Sequence, residues 1–110
     1  MPWRIRDRAT FEALRRSSAR ARRGPVGVTY AAVGDAPVAR VGYAVGKRVG
    51  NAVTRNRVKR RLRAAVLQAG ELTPGAYLVS AGPSAVEAPF PQLKGDVEAA
   101  LAAAPERGRS

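Results

Sequence analysis

The stretch Val41–Arg63 reads VGYAVGKRVGNAVTRNRVKRRLR and holds eight basic side chains and no acid. Its hydrophobic period changes midway. Val41, Tyr43 and Val45 alternate with Gly42 and Ala44, and Arg40 just before them keeps the alternation, as in a strand with one face buried. From Asn51 or Thr54 the spacing becomes helical. At about 100° per residue, Val58, Leu62, Ala65, Val66 and Ala69 fall on one stripe, and Gly70 supplies the stop. Asn56, Arg60 and Arg63 project from the opposite side, with Arg57 and Arg61 on one flank and Lys59 on the other. A solvated surface mixes both signs of charge. This segment keeps one sign beside an ordered apolar stripe, which is what a polyanion-binding face requires.

Outward from this centre, Val26–Val33 reads as a strand with Val26, Val28 and Tyr30 on one face and Thr29 on the other. Gly34-Asp35-Ala36-Pro37 reads as the turn into a second strand over Val38–Val45. Thr10 to about Ser17 reads as a short helix capped by Thr10, with Phe11, Leu14 and Ala13 on its apolar side. Ser17–Arg23 is a loop or a short edge strand. Thr73-Pro74-Gly75 is a turn, Ala76–Ala81 a short and nearly continuous apolar strand, and Gln92–Ala103 a last helix. The expected organisation is a basic arm at 1–9, one domain at 10–104 and a tail at 105–110.

The formal net charge is +12 over 110 residues, and it is not spread evenly. Eight of the 20 basic residues lie in 1–23 and eight in 47–63, whereas the last 47 residues hold five acids against three bases. Two concentrated basic blocks need a counter-charge, and a nucleic acid supplies it with release of counterions. No long apolar run and no basic amphipathic segment with a strong aromatic face points to a membrane. Cysteine and histidine are both absent, which excludes disulfides, thiolate or imidazole zinc sites and the usual catalytic triad. The N-terminal MPWRIRDR has no apolar segment of signal-peptide type, so a cytoplasmic location is expected. The carboxylates are not spaced for two-metal hydrolysis, and no serine has a recognisable base. No catalytic residue and no metal ligand is assigned to the chain. Gly42-x-x-x-Gly46-Lys47-Arg48 lacks the spacing and the Ser or Thr of a nucleotide-binding loop, but its backbone amides suit a nucleic-acid phosphate.

The segment Val41-Gly42, Val45, Lys47, Gly50-Asn51-Ala52-Val53, Arg55-Asn56-Arg57, Lys59-Arg60 and Arg63 resembles the signature of the bacterial ribonuclease P protein subunit. The order and length of the remaining elements agree with it. The resemblance implies an α+β fold, a compact two-layer α/β sandwich. Its sheet would be mainly antiparallel, with helices packed on it and a left-handed βαβ crossover through the helix beginning near Ala52. It also implies a holoenzyme, an endoribonuclease that forms the mature 5′ end of tRNA, whose RNA subunit is catalytic and holds most of the Mg2+. Lys47, Arg48, Asn51, Arg55, Asn56, Arg57, Lys59, Arg60 and Arg63 would contact that RNA. Phe11 and Tyr30 would line a cleft for the single-stranded 5′ leader of precursor tRNA. Arg15 stands where the family often has a second aromatic, and it would replace ring stacking by charge or guanidinium stacking. The basic residue expected after the late strand is missing at Ala81-Gly82-Pro83. The partners implied are ribonuclease P RNA and precursor tRNA, with no obligate protein partner.

Two other classes fit the charge. A ribosomal protein or RNA chaperone of the same fold fits charge and fold equally, and only the 41–63 signature separates it. A DNA-binding protein with 52–69 as recognition helix lacks the partner helix and short turn immediately upstream.

Overall fold

The computed structural model describes residues 3–5, 7–33 and 38–107, with the side chains of 3 and 4 excepted. The turn expected at 34–37 lies outside the described residues. Five strands form one mixed sheet in the order β1-β4-β5-β3-β2. These are β1 (Trp3–Arg4), β2 (Arg20–Arg23), β3 (Val26–Ala31), β4 (Ala39–Ala44) and β5 (Gly75–Ala81). The helices are α1 (Arg8–Arg16), α2 (Ala52–Leu67) and α3 (Phe90–Arg107), with short 3-10 turns at Lys47–Val49 and Pro83–Ala85. The antiparallel ladders β2–β3 and β3–β5 pair four and six residues; the parallel ladders β4–β5 and β1–β4 pair six and two. β4, α2 and β5 form a crossover unit that links adjacent parallel strands, the connection a parallel pair requires.

Strand alternation decides which side chains the helices cover. Val26, Val28 and Tyr30 of β3, Val41 of β4 and Tyr77 and Val79 of β5 share a face with Val58, Leu62 and Val66 of α2 and Leu93, Val97 and Leu101 of α3. These side chains form the main core, and most are fully shielded from solvent. At roughly 1.5–3 kcal/mol for each fully buried aliphatic or aromatic side chain, this layer dominates the stability of the fold. The opposite face carries a smaller cluster of Ile5, Leu14, Ala31 and Ala76, with Leu78 packed against it. Here α1 covers part of the sheet and leaves the rest open. The sandwich thus consists of the α2–α3 layer on the sheet, with α1 as a partial third layer.

Several boundaries differ from the sequence reading, each for a local reason. α1 begins at Arg8 and its cap is Asp7, whose carboxylate accepts from the Thr10 amide at 3.0 Å and from the Thr10 hydroxyl at 2.7 Å. Thr10 is therefore the buried third residue of the helix rather than its cap. The N-terminal arm is not wholly irregular, because Trp3–Arg4 pairs with Arg40–Val41 and Ile5 is buried. Arg40 also meets Asp7 at 3.7 Å, which ties β4 to the start of α1. α3 extends past Ala103 to Arg107 with a buried Pro105 inside it. Pro105 has no N–H to offer the Leu101 carbonyl four residues back, and this close to the helix end the loss is confined to the last turns.

Candidate nucleic-acid interface

α2 begins with a built cap. Asn51 is extended (φ −72°, ψ 177°), and its Oδ1 accepts from the Thr54 amide at 2.9 Å. Gly50 precedes it at φ +152°, where a β-carbon would stand 3.0 Å from the Thr54 side chain. Only glycine admits both that backbone and that approach. The 3-10 turn Lys47–Val49 packs against α2, anchored by buried Val49, and it leaves Lys47 and Arg48 exposed.

Val58, Leu62, Ala65 and Val66 of α2 are buried, as the stripe requires. Asn56, Arg57, Arg60 and Arg63 are exposed; Arg55 and Lys59 are half-buried. Among the described residues the ion pairs are Arg15–Glu12, Arg40–Asp7 and Lys94–Glu98, so none engages a basic side chain of α2 or of the 47–49 turn. The Arg63 guanidinium lies over the Tyr43 ring at 5.4 Å, a cation–π contact that holds the charged end of the side chain. Burial pushes the Tyr43 hydroxyl above its ordinary pKa, and the nearby Arg63 charge opposes that rise. Arg55 keeps its Nε enclosed without an acceptor. Val53, 72% exposed, sits in the same helical turn as Asn56 and Arg57, the one large apolar side chain described there. The nine side chains expected to act together lie on α2, its cap and the preceding turn; Arg55, Asn56 and Arg57 stand nearest the positive end of the α2 dipole, whereas Arg60 and Arg63 lie further along the helix.

Arg61 has a different position from its neighbours. Its guanidinium reaches the loop before α3 and donates to the Ala85 carbonyl at 2.8 Å, to Val86 at 3.3 Å and to Ala88. It locks α2 to that loop, and the sequence alone does not reveal this, because one more arginine in a basic run has no distinguishing pattern.

A second concavity lies on the other face of the sheet. Asp7, Arg8, Phe11, Glu12, Leu14 and Arg15 of α1 and its cap, with Arg20, Thr29 and Leu78, enclose a cleft of about 730 Å3. Phe11 is 43% exposed, and its ring lies beside Gly42 on the floor. Arg15 is mostly in solvent, 3.9 Å from Glu12, which leaves it free to turn into the cleft. Tyr30 lies outside this cleft and borders a separate concavity of about 420 Å3 with Arg16, Ser17, Ala31 and Thr73. It is buried on the helix-covered face, its ring 5.0 Å from that of Tyr77, its hydroxyl donating to the Pro74 carbonyl at 2.6 Å. Its ring also fills the space over Gly75 (φ +139°), where a β-carbon would stand 2.7 Å away. Period two places Thr29, not Tyr30, beside Phe11. Arg20, Thr29 and Leu78 are the cleft residues that the sequence reading missed; pairing of Arg20 with Thr29 and of Thr29 with Leu78 brings them together.

Among the described residues no group of three or more carboxylates converges to hold a metal, and no helix is long and apolar enough to cross a membrane. Fold and surface together define a small α+β protein whose helix N-terminus presents unpaired cations of one sign, with an aromatic-bearing cleft on the opposite face of its sheet. Comparison narrows that class. The family model described as Ribonuclease P matches residues 2–105. The ribonuclease P protein component of Micrococcus luteus is 43% identical, covering 89% of this chain and 84% of its own. That of Kocuria rhizophila is 42% identical, covering 94% and 93%. The solved RNase P protein of Staphylococcus aureus superposes with a TM-score of 0.78 at 23% identity, covering 93% of this chain and 94% of its own. That of Thermotoga maritima gives 0.77 at 20%, covering 89% and 94%. The chain belongs to the ribonuclease P protein family.

Proposed function

We propose that this protein is the protein subunit of ribonuclease P, binding the catalytic RNA and the 5′ leader of precursor tRNA so that the leader is cut off and the mature tRNA 5′ end formed. Names carried by its relatives support subunit membership. The observation that carries the RNA reading is the capped α2 N-terminus with Arg55, Asn56 and Arg57 in its first turns and, among the described residues, no carboxylate engaging them. Planar guanidinium groups grip phosphate oxygens with two parallel hydrogen bonds, and the helix dipole adds to that attraction.

In this reading Lys47, Arg48, Asn51, Arg55, Asn56, Arg57, Lys59, Arg60 and Arg63 face the catalytic RNA. Asn51 acts through its cap as well as by contact. Phe11 offers its exposed ring to an unpaired leader base, a stacking contact worth roughly 1–3 kcal/mol. Arg15 adds charge or guanidinium stacking beside it. The reading leaves Mg2+ mainly with the RNA. The protein's work is electrostatic and positional: it screens repulsion between two RNAs and holds the leader in register. The proposed setting is the cytoplasm. The test is reconstitution at low magnesium with the bacterial catalytic RNA and labelled precursor tRNA. Stimulated 5′ cleavage is the expected result; tight RNA binding without stimulation sinks the subunit reading in favour of a structural RNA-binding protein.

A further inference from the structure

The open face of the sheet continues past the Phe11 cleft. Strand register lines up three rows on that face. Ala31, Ala76 and Arg40 form the first, with Ala31 and Ala76 under α1. Arg20, Thr29, Leu78 and Gly42 form the second, the floor of the cleft. Arg22, Gly27, Ser80 and Ala44 form the third. The third row is left uncovered: Arg22 and Ala44 are exposed, and Gly27 and Ser80 half-exposed. Its floor is flat, because Gly27 has no side chain and the Ser80 hydroxyl is turned down onto the Gly27 carbonyl at 3.3 Å.

Arg20 and Arg22 stand at the β2 end of the second and third rows, both exposed. Among the described residues no carboxylate or other acceptor holds either guanidinium. Among the described residues β2 is the outer strand of the sheet. Arg23 differs: alternation puts it on the face of Ala21, which is buried against the α2–α3 layer, and its own guanidinium donates to the Arg22 carbonyl at 2.8 Å. Three strand spacings, about 14 Å, separate β4 from β2. The arginines of the β2 edge therefore form a site apart from the α2 cations, which pack on the other side of the sheet.

We propose that Arg20 and Arg22 are phosphate-binding side chains that extend the leader cleft across the uncovered sheet face to the β2 edge. They grip the single-stranded leader beyond the base stacked at Phe11. The inference rests on the reading of that cleft as the leader site. Charge complementarity selects a polyanion, and continuity with the cleft through Arg20 selects the substrate strand rather than the catalytic RNA. A small-residue floor flanked by guanidinium groups suits an extended backbone, because phosphates can approach it closely without a base-specific contact.

The test uses the holoenzyme and two precursor tRNAs, one whose leader ends at the base stacked on Phe11, short of Arg20, and one long enough to cross the sheet. Affinity is measured against salt for wild type, Arg20→Gln/Arg22→Gln, Arg22→Gln and Arg23→Gln. Wild type should bind the long leader more tightly, with a steeper salt dependence. The double variant should lose that gain, its slope for the long leader falling by about 1.4, roughly 0.7 for each single-strand phosphate contact. Arg22→Gln should lose about half of it. Arg23→Gln removes the same charge from the opposite face and should keep it, while thermal unfolding of all three stays near wild type. If the double variant retains the gain, or Arg23→Gln loses as much as Arg22→Gln, the proposal is overturned and the edge arginines serve only as bulk charge or as guards against strand pairing. If wild type itself gains nothing from the longer leader, the extension is overturned while the cleft reading stands or falls separately, on whether Phe11→Ala weakens binding of the short leader.

Discussion

Tyr30 shows at the scale of one residue how a side chain's partners set its role. Its ring packs on Tyr77 and against Gly75, and its hydroxyl is used by Pro74. Tyr30→Ala should therefore cost about 3–5 kcal/mol of stability, the range for emptying a buried aromatic site, measured as a lower urea midpoint. Tyr30→Phe should cost only about 1 kcal/mol, one hydrogen bond. Leader affinity of the folded Tyr30→Phe variant should match wild type, whereas Phe11→Ala should weaken it with little change in stability. Alternation in Val26, Val28 and Tyr30 is legible in the sequence, but the choice of covered face is not. Alternation is symmetric between the two faces, and an aromatic suits a core or a stacking platform equally. Only the position of α1 relative to α2 and α3 breaks that symmetry. Tyr77, fully buried next to Tyr30, gives a second residue-level consequence. Burial, then the neighbouring Tyr30, raises its pKa from 10.0 to about 12, against its hydrogen bond to Thr73. The unfolded chain releases this proton near 10 and the folded one near 12, so the folded state binds more protons in between. Stability should be level with respect to this group below pH 10 and decline between about 10 and 12. Tyr77→Phe should remove that decline in denaturant titrations at a series of alkaline pH values.

At the scale of elements, α2 divides its circumference between core and solvent, and that division was readable because helical period, cap and stop all agree. Asn51, the Val58–Leu62–Val66 stripe and Gly70 each point to the same helix. α1 was less legible: Asp7 and Thr10 are both good capping residues three apart, and only the geometry shows which one accepts and which one donates. β1 has two residues, too few for any period to show. Arg61 lay beyond reach for another reason. Its acceptors are main-chain carbonyls at 85, 86 and 88, and main-chain acceptors leave no trace in a sequence. Arg61→Ala should destabilise the fold by about 1–3 kcal/mol, the range for charge-assisted bonds lost from a partly buried site. Once the variant is kept below its unfolding temperature, its affinity for the catalytic RNA should match wild type. Arg60→Ala, one residue away and exposed, should do the reverse. A double-mutant comparison of the two by urea unfolding and by RNA binding separates clamp from contact.

Over the whole molecule, charge and architecture are arranged so that one sheet separates two surfaces. α2 and the 47–49 turn present cations on the helix-covered side, while Phe11, Arg15, Arg20 and Arg22 belong to the side that α1 leaves partly open. With a net charge of +12, both should bind polyanions in a salt-dependent way, the cleft less steeply because Asp7 and Glu12 line it. Their separation makes them independent, since substitutions far apart with no shared partner are additive to within a few tenths of a kcal/mol. Arg57→Ala should weaken assembly with the catalytic RNA and lower the magnitude of its log K against log salt slope by about 0.7–0.9, one phosphate contact. It should leave unchanged the difference in affinity between precursor tRNAs with short and long leaders. Phe11→Ala should weaken binding of both precursor tRNAs and leave the assembly slope as it is. The combined variant should show the two losses as a sum. A marked departure from additivity in the assembled particle would mean that one RNA bridges both surfaces, and the assignment of one surface to each RNA would have to be abandoned.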